Sequence, residues 1–329
     1  MSQEENVRSV RTSLDLARLP IRDRVGLAIQ APDVATAIAR IREAEQAGVQ
    51  QVWMTSVGMM DTLTLYAAVA TQTRHIRFGT SIVPMYPRHP LVMAQQAATI
   101  EALAPGRLRL GVGTSHRHLM ENMYGLSMPS PLAYLREYIE VMRQGLWEGR
   151  VEHQGKFFKV ATSFPRTAQI PLLISALGEK AFRLAGEVAD GAISWMCPVP
   201  YLLDKALPAL RAGAEARDRS APLLIAHIPV AMSTDKDAVQ AAATPRISFY
   251  TNAPFYAHMF AAAGFSVVGD GTGVDALVKT LVVAGDETAV ENRLRELLVS
   301  GLDELLLMLV PVKDETRERG QLMRVIGSL

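Results

Sequence analysis

Residues 25–33 read VGLAIQAPD, and the turn that follows the apolar run decides the fold. A strand that opens a doubly wound dinucleotide-binding sheet passes into its helix through a G-x-G-x-x-G turn. Here the strand VGLAIQ runs into Ala31-Pro32-Asp33, with no glycine in the turn. Seven further short apolar runs follow along the chain: QVWMT (51–55), IRFGTSIV (76–83), RLRLGVG (107–113), PLLISAL (171–177), DGAISWM (190–196), LLIAHIPVAM (223–232) and ELLLMLV (304–310). Each is too short for a typical helix and is bounded by Gly, Pro or polar residues, so all eight read as strands.

The segments between them carry helical periodicity. Leu132, Leu135, Ile139, Met142 and Leu146 set one apolar stripe on a helix. Val290, Leu294 and Leu297 form another, with GDET (285–288) supplying an Asp or Thr cap. Glycines in AGV (47–49) and SGLD (300–303) sit just before strands, where a positive φ closes the preceding helix. Strand and helix repeated eight times imply parallel pairing with helices on the outside. The predicted fold is therefore α/β, a (β/α)₈ TIM barrel. Residues 1–24 are expected to be a charged N-terminal extension, and 25–329 a single barrel domain. Two segments exceed the barrel's needs. RVEHQGKFFKV (150–160) predicts a hairpin around Gln154-Gly155. Residues 235–285 predict at least two helices, whose aromatics suit a cap over the barrel mouth.

Bulk properties narrow the function. Apolar residues make up 49% of the 329, enough for a sizeable core, and a net charge of +1 leaves no electrostatic footprint for nucleic acid or an anionic membrane. No run reaches ~18 apolar residues, so no transmembrane helix is expected, and the N-terminus lacks the apolar region of a signal peptide. One cysteine, Cys197, excludes an internal disulfide, and a cytoplasmic location is expected.

LGVGTSHRH (110–118) carries the first candidate chemistry. As a dinucleotide fingerprint it fails, because His116 occupies the third glycine position. As a metal site it offers only His116 and His118, with no third ligand nearby, and no metal is expected. What remains is a barrel strand ending in a polar lip, on the face where barrel enzymes keep their chemistry. SALGEKAFRLAGEVADG (175–191) is the second candidate: the strand ends at Ser175-Ala176-Leu177, Gly178 turns, and Glu179 opens a helix, aiming free N–H groups at an anion. FGTSIVPMYPRHP (78–90) reads equally as a distorted strand end or as a proline-rich loop. Methionines near predicted strand ends, Met54, Met59, Met85 and Met196 among them, suggest an oily pocket. Trp53 and Trp195 either wall that pocket or pack between strands and helices, the latter being expected of Trp53. No carboxylate pair or activated nucleophile suited to a hydrolase is found.

Three stretches, RFGTSIVPMYPRHPLVMAQQAATIEALAPGRLRLGVGTSH, SALGEKAFRLAGEVADGAISWM and GDETAVENRLRELLVSGLDELLLM, occur in the order and spacing of a known family. Over residues 25–329 the chain resembles the bacterial luciferase-like monooxygenases, and most closely the branch that uses the deazaflavin coenzyme F420. The resemblance implies a bulge on the third strand with a non-prolyl cis peptide between Ser81 and Ile82, behind the cofactor ring. It places the cofactor phosphate against Gly113, Thr114 and Ser115 and the N–H groups of Ala176, Leu177, Gly178 and Glu179. Ser175 and Trp195 are grouped with these cofactor contacts. Flavin-using luciferases carry an arginine where this chain has Thr114, which disfavours FMN. Sugar-phosphate dehydrogenases of the branch carry an Asp-His pair matching Ser56-Val57 and a Glu matching His116, which disfavours that activity.

The expected chemistry is hydride transfer between the deazaflavin and an apolar organic substrate with a C=O, C=C or C=N bond. His116 is the expected proton donor or oxyanion partner. Gln30, Thr55 and Ser56 are expected to bond the ring or substrate, and Gln30, Met54, Met59, Met85 and Met196 to line the pocket. An FMN-dependent monooxygenase and a non-catalytic cofactor-binding protein of the same fold are the alternatives. The partner is a small molecule, and a homodimer is the expected assembly.

Overall fold

A computed structural model describes residues 19–56, 58–267 and 272–329. Most of the expected N-terminal extension, residues 1–18, lies outside them, as does Val57. Eight parallel strands close into a barrel: β1 (Val25–Ala28), β2 (Gln51–Met54), β3 (Arg77–Thr80), β4 (Leu108–Gly113), β5 (Leu172–Ser175), β6 (Gly191–Ile193), β7 (Leu223–Ala231) and β8 (Glu304–Leu309). Closure is explicit in the register, with Val25 of β1 beside Leu305 of β8 and Leu27 beside Val52 of β2. Each strand falls inside the run read from the sequence.

Among the described residues twelve α-helices of eight residues or more accompany them: α1 (Val34–Gln46), α2 (Thr62–Ala70), α3 (Pro90–Leu103), α4 (Arg117–Tyr124), α5 (Pro131–Arg143), α6 (Glu179–Val188), α7 (Leu207–Glu215), α8 (Lys236–Thr251), α9 (Pro254–Ala262), α10 (Val274–Leu281), α11 (Glu287–Val299) and α12 (Glu315–Ser328). Aspartates cap several of these helices where they leave the strands. Asp33, Asp61 and Asp286 each accept the backbone N–H three residues on at 2.8 Å, a cap worth about 1 kcal/mol. Gly48 and Gly301 have φ of +85° and +114°, as the helix-closing turns require. The stripe at Leu135, Ile139 and Met142 is buried in α5, and a π turn (Gln144–Glu148) carries it on to Leu146.

The period-2 alternation of the strands makes two cores. The larger lies between strands and helices. The smaller fills the barrel with Trp53, Leu173, Ile193, Ile225 and Leu306. Trp53 is thus a barrel plug, and the expectation that it packs between strand and helix is corrected. It fits because glycines give the indole room: a Cβ at Gly79, its register partner on β3, would lie 2.2 Å from it, and one at Gly26 of β1 2.4 Å.

The expected hairpin is present, Arg150–Gln154 pairing antiparallel with Lys159–Ser163. The segment after β7 holds three helices, α8, α9 and α10, before the short strand Val283–Ala284 returns to β7. Because this insertion leaves from the C-terminal end of β7, it stands at the barrel mouth. Among the described residues no helix is long and apolar enough to cross a membrane.

Candidate active site at the barrel mouth

The mouth is built from residues just beyond the strand ends. β3 stops at Thr80, the chain resumes pairing at Val83–Pro84 against β4, and between them the Ser81–Ile82 peptide is cis. The end of β2 grips this bulge from one side. Ser81 N–H donates to Met54 O (2.8 Å), the Thr55 hydroxyl to Ser81 O (2.8 Å), and Ser56 N–H to Ile82 O (3.1 Å). On the other side the Thr80 hydroxyl donates to Gly111 O (2.7 Å) and accepts from Gly111 N–H (2.8 Å), replacing the strand pairing lost there. Thr55 and Ser56 therefore spend hydrogen bonds on the bulge itself, and Ser56 Oγ also accepts from Thr62 N–H (3.2 Å). Ser81 Oγ is buried with no partner, an arrangement that a native site resolves with ligand or water.

Beside the bulge is a cradle. Gly113 ends β4, where a Cβ would lie 2.1 Å from Ser175 Oγ and 3.2 Å from Ile82 Cδ1. Ser115 follows at φ +59°, a conformation costing roughly 1–2 kcal/mol for a residue with a side chain. Across from it α6 begins at Glu179 with Gly178 as its cap and no side chain on its first amides. Leu177, Gly178 and Glu179 offer N–H groups that meet no acceptor among the described residues, and the helix dipole favours an anion there. Ala176 is a correction: its N–H donates to Ile193 O (2.9 Å), because the β5–β6 ladder continues one residue past the strand.

His116 precedes α4 and is half-buried, without serving as a side-chain cap. Its ring stacks on Tyr256 of α9 (centroids 5.8 Å, 18° between planes) and meets Phe249 and Tyr250 of α8 at 6.2 Å each. Burial, with the neighbouring His118 adding repulsion, lowers its pKa and keeps the imidazole neutral. His118 itself is exposed.

Trp195, beyond β6, donates from Nε1 to the Tyr250 hydroxyl (2.8 Å) and lies flat on His227, with centroids 3.7 Å apart. Sequence reasoning missed His227. It sits in the middle of β7 two residues after Ile225, so strict alternation would have pointed it into the barrel. The side chain is fully buried, Nδ1 accepts Met196 N–H (3.3 Å), and Nε2 has no partner. Burial drives its pKa from the ordinary 6.5 down to about 3. Tyr250 and Tyr256 were legible only as part of an aromatic-rich insertion.

The oily methionine pocket is not assembled. Met59 is 99% exposed, and Met85 is fully buried against the helices. Met54 follows Trp53 and so takes the opposite, helix-facing side of β2. Met196 is buried at φ +53°, offering its N–H to His227. Gln30 is exposed, and its carbonyl accepts from Arg40. Proximity to a strand end fixes the neighbourhood of a side chain, not its direction.

A cleft of about 530 Å³ lies at the other end of the barrel, beside Arg143, Asp190 and Arg219. Those charges bond one another and the last carbonyls of α6, Arg143 to Val188 O (3.1 Å) and Arg219 to Gly186 O (3.1 Å).

Comparison with known proteins agrees with this geometry. The sequence profile of the family described as luciferase-like monooxygenase matches residues 18–304. An F420-dependent glucose-6-phosphate dehydrogenase of Nakamurella multipartita is 38% identical over 179 residues, 52% of each chain. One from Kineococcus radiotolerans is 30% identical over 262 residues, 76% of each. The match thus spans about half of the first relative and three quarters of the second. The structure of coenzyme F420-dependent tetrahydromethanopterin reductase from Methanopyrus kandleri superposes with a TM-score of 0.75 at 23% identity, covering 92% of this chain and 97% of that one.

Proposed function

The chain belongs to the luciferase-like monooxygenase family, and from that premise we propose that it is an F420-dependent oxidoreductase acting on an uncharged organic substrate with a C=O, C=C or C=N bond. The observation that carries this reading is the bulge at Ser81-Ile82, gripped from both sides and presenting the unpartnered Ser81 Oγ at the mouth. When bound, the deazaflavin supplies the hydride chemistry. The chain supplies binding, orientation and a hydrogen bond to substrate.

The backbone of Gly113, Thr114 and Ser115 and the free N–H groups of Leu177, Gly178 and Glu179 are assigned to the cofactor phosphate. Thr55 and Ser56 act by holding the bulge that supports the ring, and Trp195 faces that bulge from across the mouth. His116, neutral and able to donate a hydrogen bond through one ring nitrogen, is assigned to the substrate oxygen on which charge develops. Thr114 stands where flavin-using luciferases carry arginine, which favours the deazaflavin over FMN.

Fluorescence titration of the pure protein with F420 and with FMN tests the cofactor. Micromolar binding of F420 is expected; micromolar FMN binding with no F420 binding overturns the proposal. His116→Ala should lower kcat by roughly 10²- to 10³-fold while leaving cofactor affinity nearly unchanged. Unchanged turnover would remove His116 from the chemistry.

A further inference from the structure

In a chain only 6% aromatic, residues 249–265 carry six aromatic side chains, and the fold turns five rings from this insertion and the strand ends into one surface. Trp195 bonds Tyr250; Tyr250 meets Tyr256 at 4.8 Å and Phe249 at 5.3 Å; Tyr256 stacks on His116. Beneath Trp195, the buried His227 fixes the plane of the indole. The result is a continuous aromatic wall running from the barrel interior to the solvent edge, where Phe249 is 58% exposed.

The wall is also electrically neutral. Burial keeps both histidines unprotonated and pushes the phenol pKa values of Tyr250 and Tyr256 up, so no member is charged near pH 7. It begins across the barrel from the bulge, where Trp195 lies on His227 of the seventh strand, four strands from the third, and it reaches round to His116 beyond the fourth. A ligand between them has the bulge on one side and aromatic faces and edges on the other.

We propose that the substrate is an uncharged, planar, conjugated carbonyl compound that lies against the aromatic wall formed by Trp195, Tyr250, Tyr256, His116 and Phe249. This rests on the assignment of the mouth as the active site and adds the substrate class. Flat π faces gain offset-stacked and edge-to-face contacts there that a saturated molecule of equal area does not. A sugar phosphate would place its dianion against neutral rings, and Arg246, whose charge reaches Tyr250, stands outside the wall, so the rings themselves offset none of the desolvation cost.

The test is equilibrium binding, read by saturation-transfer NMR and calorimetry without turnover, on the full chain with and without F420. The probes are acetophenone, cyclohexyl methyl ketone with the same carbon skeleton, and glucose 6-phosphate. The aromatic ketone is expected to bind about tenfold more tightly than the saturated one, with glucose 6-phosphate not binding. Phe249→Ala, at an exposed position that leaves folding intact, should weaken acetophenone about fivefold and cyclohexyl methyl ketone less than twofold. Tyr250→Phe, which keeps the ring and loses the bond to Trp195, should retain the preference. Equal affinity for the two ketones, tighter binding of glucose 6-phosphate, or no response to Phe249→Ala overturns the proposal. Failure of F420 to bind while the ketone preference persists would overturn the cofactor assignment and leave the wall's preference standing.

Discussion

The two ends of the barrel solve the problem of buried polar groups in opposite ways. At the N-terminal end, charge meets charge: Arg109 bonds Glu304 (2.5 Å) and Gln51 (3.1 Å) inside the barrel, beneath Trp53, while Asp303 accepts Leu224 N–H (2.8 Å). Among the described residues the buried atoms there without partners are single ones, such as Arg109 Nη2, Trp53 Nε1 and Glu101 Oε2. At the C-terminal end Arg88 and Asp61 also pair, but Ser81 Oγ, His227 Nε2 and the amides before α6 meet no partner among the described residues. An end whose groups satisfy one another holds the barrel together. An end whose groups are left open is ready for a ligand, in keeping with the division of labour between the faces of such barrels.

The largest expected effect lies at the paired end. Glu304→Leu leaves Arg109 buried without its partner and should cost about 3–5 kcal/mol in denaturant unfolding, with F420 affinity of the folded protein unchanged. A loss below about 1 kcal/mol would break the contrast. Next comes acid sensitivity at the mouth. His227 is neutral when folded and titrates near 6.5 when unfolded, so the unfolded state gains the proton first. Stability should be fully present above pH 6.5 and fall by roughly 1.4 kcal/mol per pH unit as pH drops toward 3. His227→Asn, which can still accept Met196 N–H, should flatten that slope in chemical denaturation measured across the window. An unchanged slope would assign the acid sensitivity elsewhere.

Smaller effects sharpen the picture of the cradle. Gly113→Ala drives a Cβ toward Ser175 Oγ and Ile82. It should cost about 1–3 kcal/mol in stability and weaken F420 binding by more than tenfold, since the residue meets both the bulge and the assigned phosphate site. Stability loss without loss of affinity would detach Gly113 from the cofactor. Met59→Ser, at a side chain 99% exposed, should change neither stability beyond about 0.5 kcal/mol nor ketone affinity. A large effect on binding would restore the methionine pocket.

What could be read in advance follows from locality. The eight strands, the aspartate cap before α11 and the positive φ at Gly48 and Gly301 are each written in a few adjacent residues, where periodicity and turn chemistry act directly. The cis bond at Ser81-Ile82 was legible only through family resemblance, since no property of those two residues marks it. The pocket was misread because Met59 and Met85 lie near strand ends yet point away, one into solvent and one into the helix layer. Ala176 was misread because whether an amide is free depends on Ile193, seventeen positions on.

The sequence by itself determined the closed barrel, because strand period, turn residues and parallel order are local and repeat eight times. Only the tertiary structure decided that the mouth is lined by rings and not by methionines. Trp195, His227, Tyr250, Tyr256 and His116 lie far apart along the chain. They become one neutral wall only when the insertion after β7 folds back over the strand ends.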